Sequence, residues 1–234
     1  KFLTILIYDS RAKRKVERLK NQFISTVSHE LRTPLTSIKG ALGIALSGDL
    51  GALELRTRDL LVIANNNADR LTRLVNDILD IDKLEFGNVQ LNNQRIAIYP
   101  LLQQSVEHNR GYAARYGVEL SLDNVDSSLH ELPAHLDADR FLQVMSNLLS
   151  NAIKYSHLGG KVRVSLECES RYFKISVIDE GQGIPAEFRQ RIFRKFAQVD
   201  SSDTKRRDGT GLGLSITKAI VERFGGKIDY HSVE

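Results

Sequence analysis

The sequence is poor in cysteine and in aromatic residues, and each shortage limits what the chain can do. Its single cysteine, Cys168, excludes an internal disulfide and any zinc site built on several thiolates. We expect Cys168 to be a small buried residue of a strand rather than a reactive thiol. Tryptophan is absent, and aromatic residues make up 7% of the chain. Because these aromatics do not alternate with the basic residues, we do not expect direct binding of nucleic acid.

The sequence also lacks any run of about 18 apolar residues, so we expect no segment that spans a membrane. No signal peptide is visible, and the first residue is a lysine, which indicates that the chain was cut from a longer protein. We therefore expect a cytoplasmic location, with any membrane anchor in a segment upstream. The 234 residues, of which 41% are hydrophobic and 26% charged, suffice for two domains.

The first third of the chain has the apolar spacing of a helical hairpin. Steps of three and four predict one helix over residues 10–46 and another over 53–84, joined by a glycine-containing turn at 47–51. The first apolar stripe consists of Val16, Leu19, Phe23, Val27, Leu31, Leu35, Ile38, Leu42 and Ala45. The second consists of Leu60, Ala64, Ala68, Leu71, Val75, Ile78 and Ile81. Two helices cannot bury both stripes, so we expect a homodimer that forms a four-helix bundle. The alternative is that the stripes pack against the rest of the same chain.

One histidine lies within the first helix but off its apolar stripe. His29 is two residues away from the nearest apolar members, so its imidazole is predicted to point away from them into solvent. Glu30 is adjacent, and Thr33 lies one turn further along the same face. Pro34 removes an N–H that would have bonded the carbonyl of Glu30, so we expect the helix to bend there. Alone, residues 28–35 are equally typical of a surface histidine beside an incidental proline.

After residue 87 the pattern changes to strands and helices in an irregular order, which indicates a two-layer α/β sandwich. Strands are predicted over residues 89–98, 118–122, 161–169 and 172–179, and another begins at 227–231. Helices are predicted over residues 100–115, 140–155, 187–193 and 212–224. The predicted domains are 1–20, the end of an upstream segment; 21–86, the hairpin; and 87–234, the α/β domain.

The third domain contains polar residues in an arrangement that suits a nucleotide. Asn147 and Asn151 are four residues apart, so they share one helix face, and amide oxygens are ligands that Mg²⁺ accepts. Lys154 can meet a phosphate, and Tyr155 offers a ring to a base. Singly, two asparagines on a helix are more typical of a polar face.

Two glycine-containing motifs follow in the same domain. Asp179 ends an apolar strand, and Gly181 and Gly183 after it let the backbone approach a ligand closely. Residues 209–214 are rich in glycine and lead directly into a helix, whose free N–H groups can bind phosphate. A glycine cluster before a helix is by itself more often a turn, but chance is a poor explanation for all these motifs in one order.

Together with the octet around His29, these motifs resemble the boxes of sensor histidine kinases of two-component systems. The matches are the H box at His29, the N box at 147–155, the G1 box at 179–183, the F box at 193–196 and the G2 box at 209–213. The resemblance extends from about residue 10 onward and implies a dimerisation and phosphoacceptor domain followed by a GHKL-type ATP-binding domain. Residues 2–8 resemble the last strand of a PAS sensor domain.

The resemblance implies that His29 accepts a phosphoryl group from ATP and that Glu30 orients or deprotonates its imidazole. A neutral imidazole is available near neutral pH, and a carboxylate selects its tautomer. Thr33 completes a pattern that resembles kinases able to dephosphorylate their partner, and this role is favoured over the alternative of a surface threonine beside a kink.

The resemblance also implies a nucleotide site for ATP and Mg²⁺. Asn151 would coordinate the metal, Tyr155 would pack on the adenine, and Asp179 would accept a hydrogen bond from the adenine amino group. The implied site consists of Asn147, Asn151, Lys154, Tyr155, Asp179, Gly181, Gly183, Ile184, Phe196, Gly209, Thr210, Gly211, Leu212 and Gly213. Residues 197–208 would form a mobile lid that gates the reaction, and its basic residues at 205–207 either touch phosphate or are solvated.

The implied function is autophosphorylation of His29 within a homodimer, followed by transfer to an aspartate of a response regulator, with phosphatase activity toward that regulator as a further expectation. One alternative is a scaffold that binds nucleotide and transfers nothing, which the intact His29 and Asn151 disfavour. Another is a GHKL ATPase, which Gln143 disfavours because hydrolytic relatives carry a glutamate base near this place. Family members usually continue past Glu234 into a closing strand, so we expect that strand to be missing.

Overall fold

The computed structural model describes residues 11–49, 51, 53–85, 91–169, 172–198 and 209–233 of the chain, without the side chains of residues 11–25, His29, Lys83 and Glu85. The chain divides into two units, Lys1–Phe86 and Gly87–Glu234. The predicted PAS-like strand at 2–8 and the lid residues 199–208 lie outside the described residues.

The first unit is a helical hairpin, as the apolar spacing predicts. Helix α1 spans Arg11–Ser47 and helix α2 spans Leu55–Glu85. α1 continues through Pro34 as one helix. In the connection, Gly48 and Gly51 have φ values of 91° and 100°, which residues with a Cβ adopt only with strain. The N–H of Gly51 donates to the carbonyl oxygen of Gly48 at 3.1 Å, which closes the turn.

Two polar pairs set the register of the hairpin. Arg32 Nη2 donates to Asn76 Oδ1 at 2.9 Å, and Lys39 Nζ lies 2.8 Å from Asp69 Oδ1. The two pairs are seven residues apart on each helix and run in opposite directions, as an antiparallel pair requires. Seven residues are two helical turns, so both pairs lie on the same sides of the helices.

The predicted apolar stripes are only partly buried within one hairpin. Leu35 of α1 and Val75 of α2 are buried. By contrast, Leu31 and Ile38 are 46% and 49% exposed, and Leu60 of α2 is 67% exposed. One hairpin therefore retains a broad apolar surface.

The second unit is a two-layer arrangement of five strands and three helices among the described residues, which confirms the predicted fold class. The strands are β1 (Gln94–Ala97), β2 (Glu119–Leu122), β3 (Pro133–Leu136), β4 (Lys161–Glu169) and β5 (Tyr172–Asp179). The helices are α3 (Ile98–Tyr116), α4 (Ala138–Tyr155) and α5 (Gly213–Arg223), and short 3₁₀ turns lie at Ser127–Leu129 and Arg189–Arg191.

The strands form two sheets, and the helices cover the larger one. β1 pairs with β3 in antiparallel fashion, whereas β4 lies between β2, which is parallel to it, and β5, which is antiparallel. α4 packs on β4 and β5 and is flanked by α3 and α5. Between the layers, Leu102, Leu149, Ile153, Val162 and Val164 have no exposed surface. The apolar face of α4 thus fixes which of its residues remain at the surface.

The start of α4 is held by a side chain that serves two segments. Asp137 Oδ1 accepts the N–H of Arg140 at 3.1 Å, a typical N-cap. The other oxygen of Asp137 accepts the N–H of Asn92 at 3.0 Å. One carboxylate therefore links the residues before β1 to the start of the helix that carries the N box.

The sequence prediction for this unit missed one strand and is wrong at two other segments. The strand β3 was not predicted, and the predicted helix at 187–193 is a 3₁₀ turn at Arg189–Arg191. Residues 227–231 form no strand. Near them, side chains make the contacts: Tyr230 Oη donates to the Arg189 carbonyl oxygen at 2.9 Å, and Ser232 Oγ accepts the N–H of Ile184 at 2.8 Å.

The expectation that Cys168 is buried is also wrong, because its side chain is exposed. Alternate residues of β4 up to Leu166 are buried, but the last three, Glu167, Cys168 and Glu169, are all exposed. The last three residues of β4 are therefore exposed on both faces of the strand.

None of the helices in the described part of the chain combines the length and apolar character needed to cross a membrane.

Candidate functional site

The middle of α4 presents three of the predicted site residues on one face. Asn147, Asn151 and Lys154 follow one another at steps of four and three, and all three are half-buried. Residues of the other face, such as Leu149 and Ile153, are fully buried in the core. The amphipathic pattern of the helix thus leaves two carboxamides and one ammonium group at the edge of the domain.

The end of α4 meets the turn that follows β5. Tyr155 is the last residue of the helix and is 40% exposed, and Lys154 Nζ lies 4.9 Å from the centre of its ring. Ser156 forms an isolated antiparallel bridge with Gly181. The bridge places the backbone at the end of α4 beside the glycine turn that follows β5.

Gly181 fills a space that admits no side chain. A Cβ atom added there would lie 2.6 Å from the carbonyl oxygen of Tyr155 and 2.7 Å from Asp179 Oδ1. The N–H of Gly181 donates to the same Asp179 oxygen at 2.9 Å. This hydrogen bond orients the exposed carboxylate at the end of β5, so Asp179 has one fixed oxygen and one available to a ligand.

The glycine-rich segment before α5 returns to the polar face of α4. A Cβ atom on Gly209 would lie 3.6 Å from Lys154 Nζ, and one on Gly213 would lie 3.5 Å from Asn147 Cγ. Thr210 Oγ1 accepts the N–H of Leu212 at 3.1 Å, which shapes the turn into the helix. Two motifs about 60 residues apart in sequence are therefore neighbours in space.

A direct hydrogen bond joins the two motifs. Asn147 Nδ2 donates to the carbonyl oxygen of Gly213 at 3.2 Å and to Thr217 Oγ1 at 3.4 Å. Thr217 has no exposed surface. The sequence did not predict a role for Thr217, and its only signal was a position between Ile216 and Ile220 on the apolar face of α5.

The F box lies next to the glycine-rich segment that precedes α5. Phe196 has a φ of 58°, rare for a residue with a side chain, and its ring is 65% exposed. The space next to its backbone is occupied by Gly211, which has a φ of 70°. Gln198 Nε2 donates to the carbonyl oxygen of Gly209 at 3.0 Å. The residues on both sides of segment 199–208 are thus held against each other.

The backbone of Ile184, the last residue predicted for the site in the G1 turn, is held by two other segments of the domain. Its N–H is used by Ser232 Oγ, and its carbonyl oxygen accepts from Arg189 Nε at 3.2 Å. Gly183 before it has a φ of 76°, which directs the chain into this position. Ser232 and Arg189 therefore support the G1 turn, and their spacing in the sequence did not predict this role.

The residues around His29 lie on the hairpin. Glu30 and Thr33 are exposed on α1, whereas Ser28 and Leu35 are buried. The prediction that the imidazole points into solvent concerns a side chain outside the described residues. Pro34 is exposed within the helix, beside Thr33.

The donor set of the α4 face fits Mg²⁺ better than a transition metal. Within the described residues, no group of three or more histidine, cysteine, aspartate or glutamate side chains could hold a metal ion. The metal ligands that α4 offers are the neutral carboxamide oxygens of Asn147 and Asn151. Mg²⁺ is commonly held by few protein oxygens, with water and phosphate oxygens completing its shell, so a metal would bind here together with a nucleotide.

Two family models match the chain in sequence order. His Kinase A (phospho-acceptor) domain matches residues 19–87, and Histidine kinase-, DNA gyrase B-, and HSP90-like ATPase matches residues 136–234. The hairpin and the ATP-binding motifs therefore each have their own match.

Individual relatives agree with the family models. The sensor histidine kinase WalK of Bacillus subtilis is 35% identical over 99% of the chain, which spans 38% of WalK. The crystal structure of full-length ShkA in complex with AMPPNP superposes with a TM-score of 0.67 at 28% identity, covering 87% of this chain and 41% of ShkA. The histidine kinase AdeS of Acinetobacter baumannii gives a TM-score of 0.60 at 27% identity, covering 87% of this chain and 91% of AdeS. This chain belongs to the sensor histidine kinases of two-component systems, with a phosphoacceptor domain followed by a GHKL catalytic domain.

Proposed function

We propose that the chain binds ATP with Mg²⁺ at the α4–α5 site and transfers the terminal phosphoryl group to His29. The observation that carries this proposal is the convergence of Asn147, Lys154 and the residues before Gly213 at the start of α5. The free N–H groups of a helix N-terminus bind phosphate, and an ammonium group within the same space adds opposite charge. ShkA, a relative of similar fold, is described in complex with an ATP analogue.

Each end of the site suits one part of the nucleotide. The ring of Tyr155 offers a stacking surface for adenine, and the free oxygen of Asp179 suits the adenine amino group. Lys154 and the α5 N-terminus suit the phosphates. Asn151 is the residue that we assign to Mg²⁺, which would neutralise charge on the phosphate oxygens when bound.

The transfer itself needs a nucleophile and alignment. An imidazole nitrogen of His29 forms a bond to the γ-phosphorus while the bond to the bridging oxygen breaks and ADP leaves with the electron pair. Glu30 accepts the proton of the other imidazole nitrogen. We propose that the hairpin, residues 21–86, presents this histidine and that residues 87–234 supply the ATP.

Gln143 favours transfer over hydrolysis. It lies on α4 one turn before Asn147, and its Oε1 accepts from Arg140 Nη1 at 2.7 Å. A carboxamide that is already an acceptor from a guanidinium group has no basic site to activate water. ATP bound at this site therefore needs a nucleophile from elsewhere in the protein, which His29 supplies.

We also propose that the hairpin forms a homodimer and that phospho-His29 passes its phosphoryl group to an aspartate of a response regulator. The exposed apolar residues Leu31, Ile38 and Leu60 support the dimer, because a second hairpin would remove them from water.

Radiolabelled ATP with Mg²⁺ tests the proposed transfer. The chain should acquire a label that is stable in alkali and lost in acid, as phosphohistidine is. His29→Gln should remove the label, whereas the control His108→Gln, an exposed histidine of α3, should keep it. Label that persists in His29→Gln, or phosphate release without any labelled protein, would contradict the proposal.

A further inference from the structure

Thr217 is a buried polar residue of α5 whose hydroxyl serves a neighbouring helix. Three residues of α5 are buried, and the other two are Ile216 and Ile220. Thr217 Oγ1 accepts from Asn147 Nδ2 of α4 at 3.4 Å. Ser105, a buried hydroxyl of α3, instead donates to the carbonyl oxygen of Leu101 in its own helix at 2.7 Å. The Thr217 hydroxyl therefore belongs to a contact between two helices.

The partners of Asn147 fix the orientation of its carboxamide. Gly213 offers a carbonyl oxygen, which can only accept, at 3.2 Å. If the carboxamide were rotated by half a turn, its oxygen would face that carbonyl, and two acceptors would repel each other. The nitrogen must therefore face α5, and its two hydrogens match two acceptors spaced one turn apart, at Gly213 and Thr217.

This orientation determines which atom of Asn147 is left for a ligand. With the nitrogen committed to α5, the carboxamide oxygen is the atom that can meet a cation or a cation-bound water. A rotated carboxamide would present N–H groups instead, which suit a phosphate oxygen but not Mg²⁺. The carbonyl oxygen of Gly213 accepts only one of the two hydrogens on Asn147 Nδ2. The hydroxyl of Thr217 accepts the other, and this second hydrogen bond opposes rotation of the carboxamide.

We propose that Thr217 is a positioning residue for the metal–nucleotide site and acts through Asn147. Together with the carbonyl of Gly213 it holds the carboxamide nitrogen between α4 and α5, and so keeps the oxygen available to the Mg²⁺ shell. This inference rests on the proposed function, because it requires ATP and Mg²⁺ to occupy this site. It predicts a defect that depends on the metal rather than a general loss of binding.

Binding of AMPPNP to the full chain, measured by calorimetry with Mg²⁺ and again with EDTA, tests the role. Thr217→Val keeps the shape of the side chain but removes the acceptor. We expect it to weaken binding in Mg²⁺ by about 3- to 10-fold, the range for one lost hydrogen bond, and to leave binding in EDTA at the unmodified level. Thr217→Ser, which retains the hydroxyl, should restore the affinity in Mg²⁺. The control Ser105→Ala should match the unmodified chain in both buffers.

The outcomes separate the role of Thr217 from the proposed function. Absence of AMPPNP binding by the unmodified chain would contradict both. If the unmodified chain binds AMPPNP normally, three results would overturn only the positioning role. Thr217→Val could lose affinity equally in Mg²⁺ and EDTA, or lose none at all. Alternatively, Thr217→Ser could fail to restore the affinity in Mg²⁺. If Thr217→Val does not fold, as judged by its thermal unfolding, Thr217→Ala removes the same hydroxyl with less bulk and the same comparison decides.

Discussion

Gly211 lies so close to Phe196 that a Cβ atom added to the glycine would be 2.9 Å from the Cα atom of the phenylalanine. Both residues have positive φ, 70° and 58°. The last residue of the F box and the centre of the G2 box are therefore packed backbone against backbone. A side chain at position 211 would push apart the two segments that flank residues 199–208.

Gly211→Ala should lower the affinity for ATP by about tenfold or more, because the backbone of one segment must move in addition to the strain of positive φ. Gly225→Ala is a matched control: Gly225 has a φ of 76°, and a Cβ there meets nothing within 4 Å. The control should lose about 1 kcal/mol of stability and keep its ATP affinity. Calorimetry and thermal unfolding of both variants measure the difference, and equal ATP affinities would rule out the packing explanation.

Gly181→Ala should disturb the adenine end of the site. Its Cβ would lie 2.6 Å from the carbonyl oxygen of Tyr155, a backbone atom that cannot move alone. The turn must shift away from α4, so Asp179 loses the hydrogen bond that orients it. We expect at least about a tenfold loss of affinity for ADP, measured by competition with a fluorescent nucleotide.

The control for this change is Gly111→Ala in α3, where a Cβ meets nothing within 4 Å. Alanine is favoured over glycine inside a helix by about 1 kcal/mol, so this variant should be at least as stable as the unmodified chain and bind ADP normally. Undiminished ADP binding by Gly181→Ala would show that the turn tolerates the shift.

The helices were predictable from sequence because their apolar residues recur with a helical period, as Leu149 and Ile153 do on α4. The strand β3 was not, because it has four residues, begins with Pro133 and buries only Leu136. It is a strand because β1 pairs with it, and proline is tolerated at a strand's first residue. Pairing of distant segments leaves no local pattern.

The same limit applies to the site. Asn147 and Gly213 could be assigned from their motifs, since each motif carries its own spacing. Thr217 and Ser232 could not, because a hydroxyl on a helix or after a turn has the same local pattern whether or not it meets a partner. Their contacts depend on α4 and on the G1 turn, which lie far away in the sequence.

Ile38→Glu should dissociate the proposed dimer. Ile38 is 49% exposed in the single hairpin, and a carboxylate placed between two hairpins would lose its hydration. Sedimentation velocity should show a monomer for Ile38→Glu and a dimer for the unmodified chain. Ile178→Glu, at an isoleucine of β5 that is 42% exposed, is the matched control and should remain dimeric. A dimer in Ile38→Glu would place the interface elsewhere.

The phosphatase activity that the sequence resemblance implies rests on Thr33, so Thr33→Ala should reduce dephosphorylation of a phosphorylated response regulator while autophosphorylation continues. Thr33 is exposed one turn after His29, where a hydroxyl can orient a water molecule toward a phosphoaspartate. Loss of one orienting hydrogen bond corresponds to about a tenfold slower reaction. The rate of phosphate release from a purified labelled regulator measures the first activity, and acid-labile label on the kinase measures the second.

The control for this change is Thr36→Ala on the same helix. Thr36 lies seven residues, or two helical turns, after His29, too far along α1 to reach a phosphoryl group there, and its hydroxyl donates to the carbonyl oxygen of Arg32 at 2.9 Å. Thr36→Ala should therefore leave both activities near those of the unmodified chain. If Thr33→Ala loses autophosphorylation as well as dephosphorylation, the threonine supports the shape of the helix beside Pro34 and does not act on water.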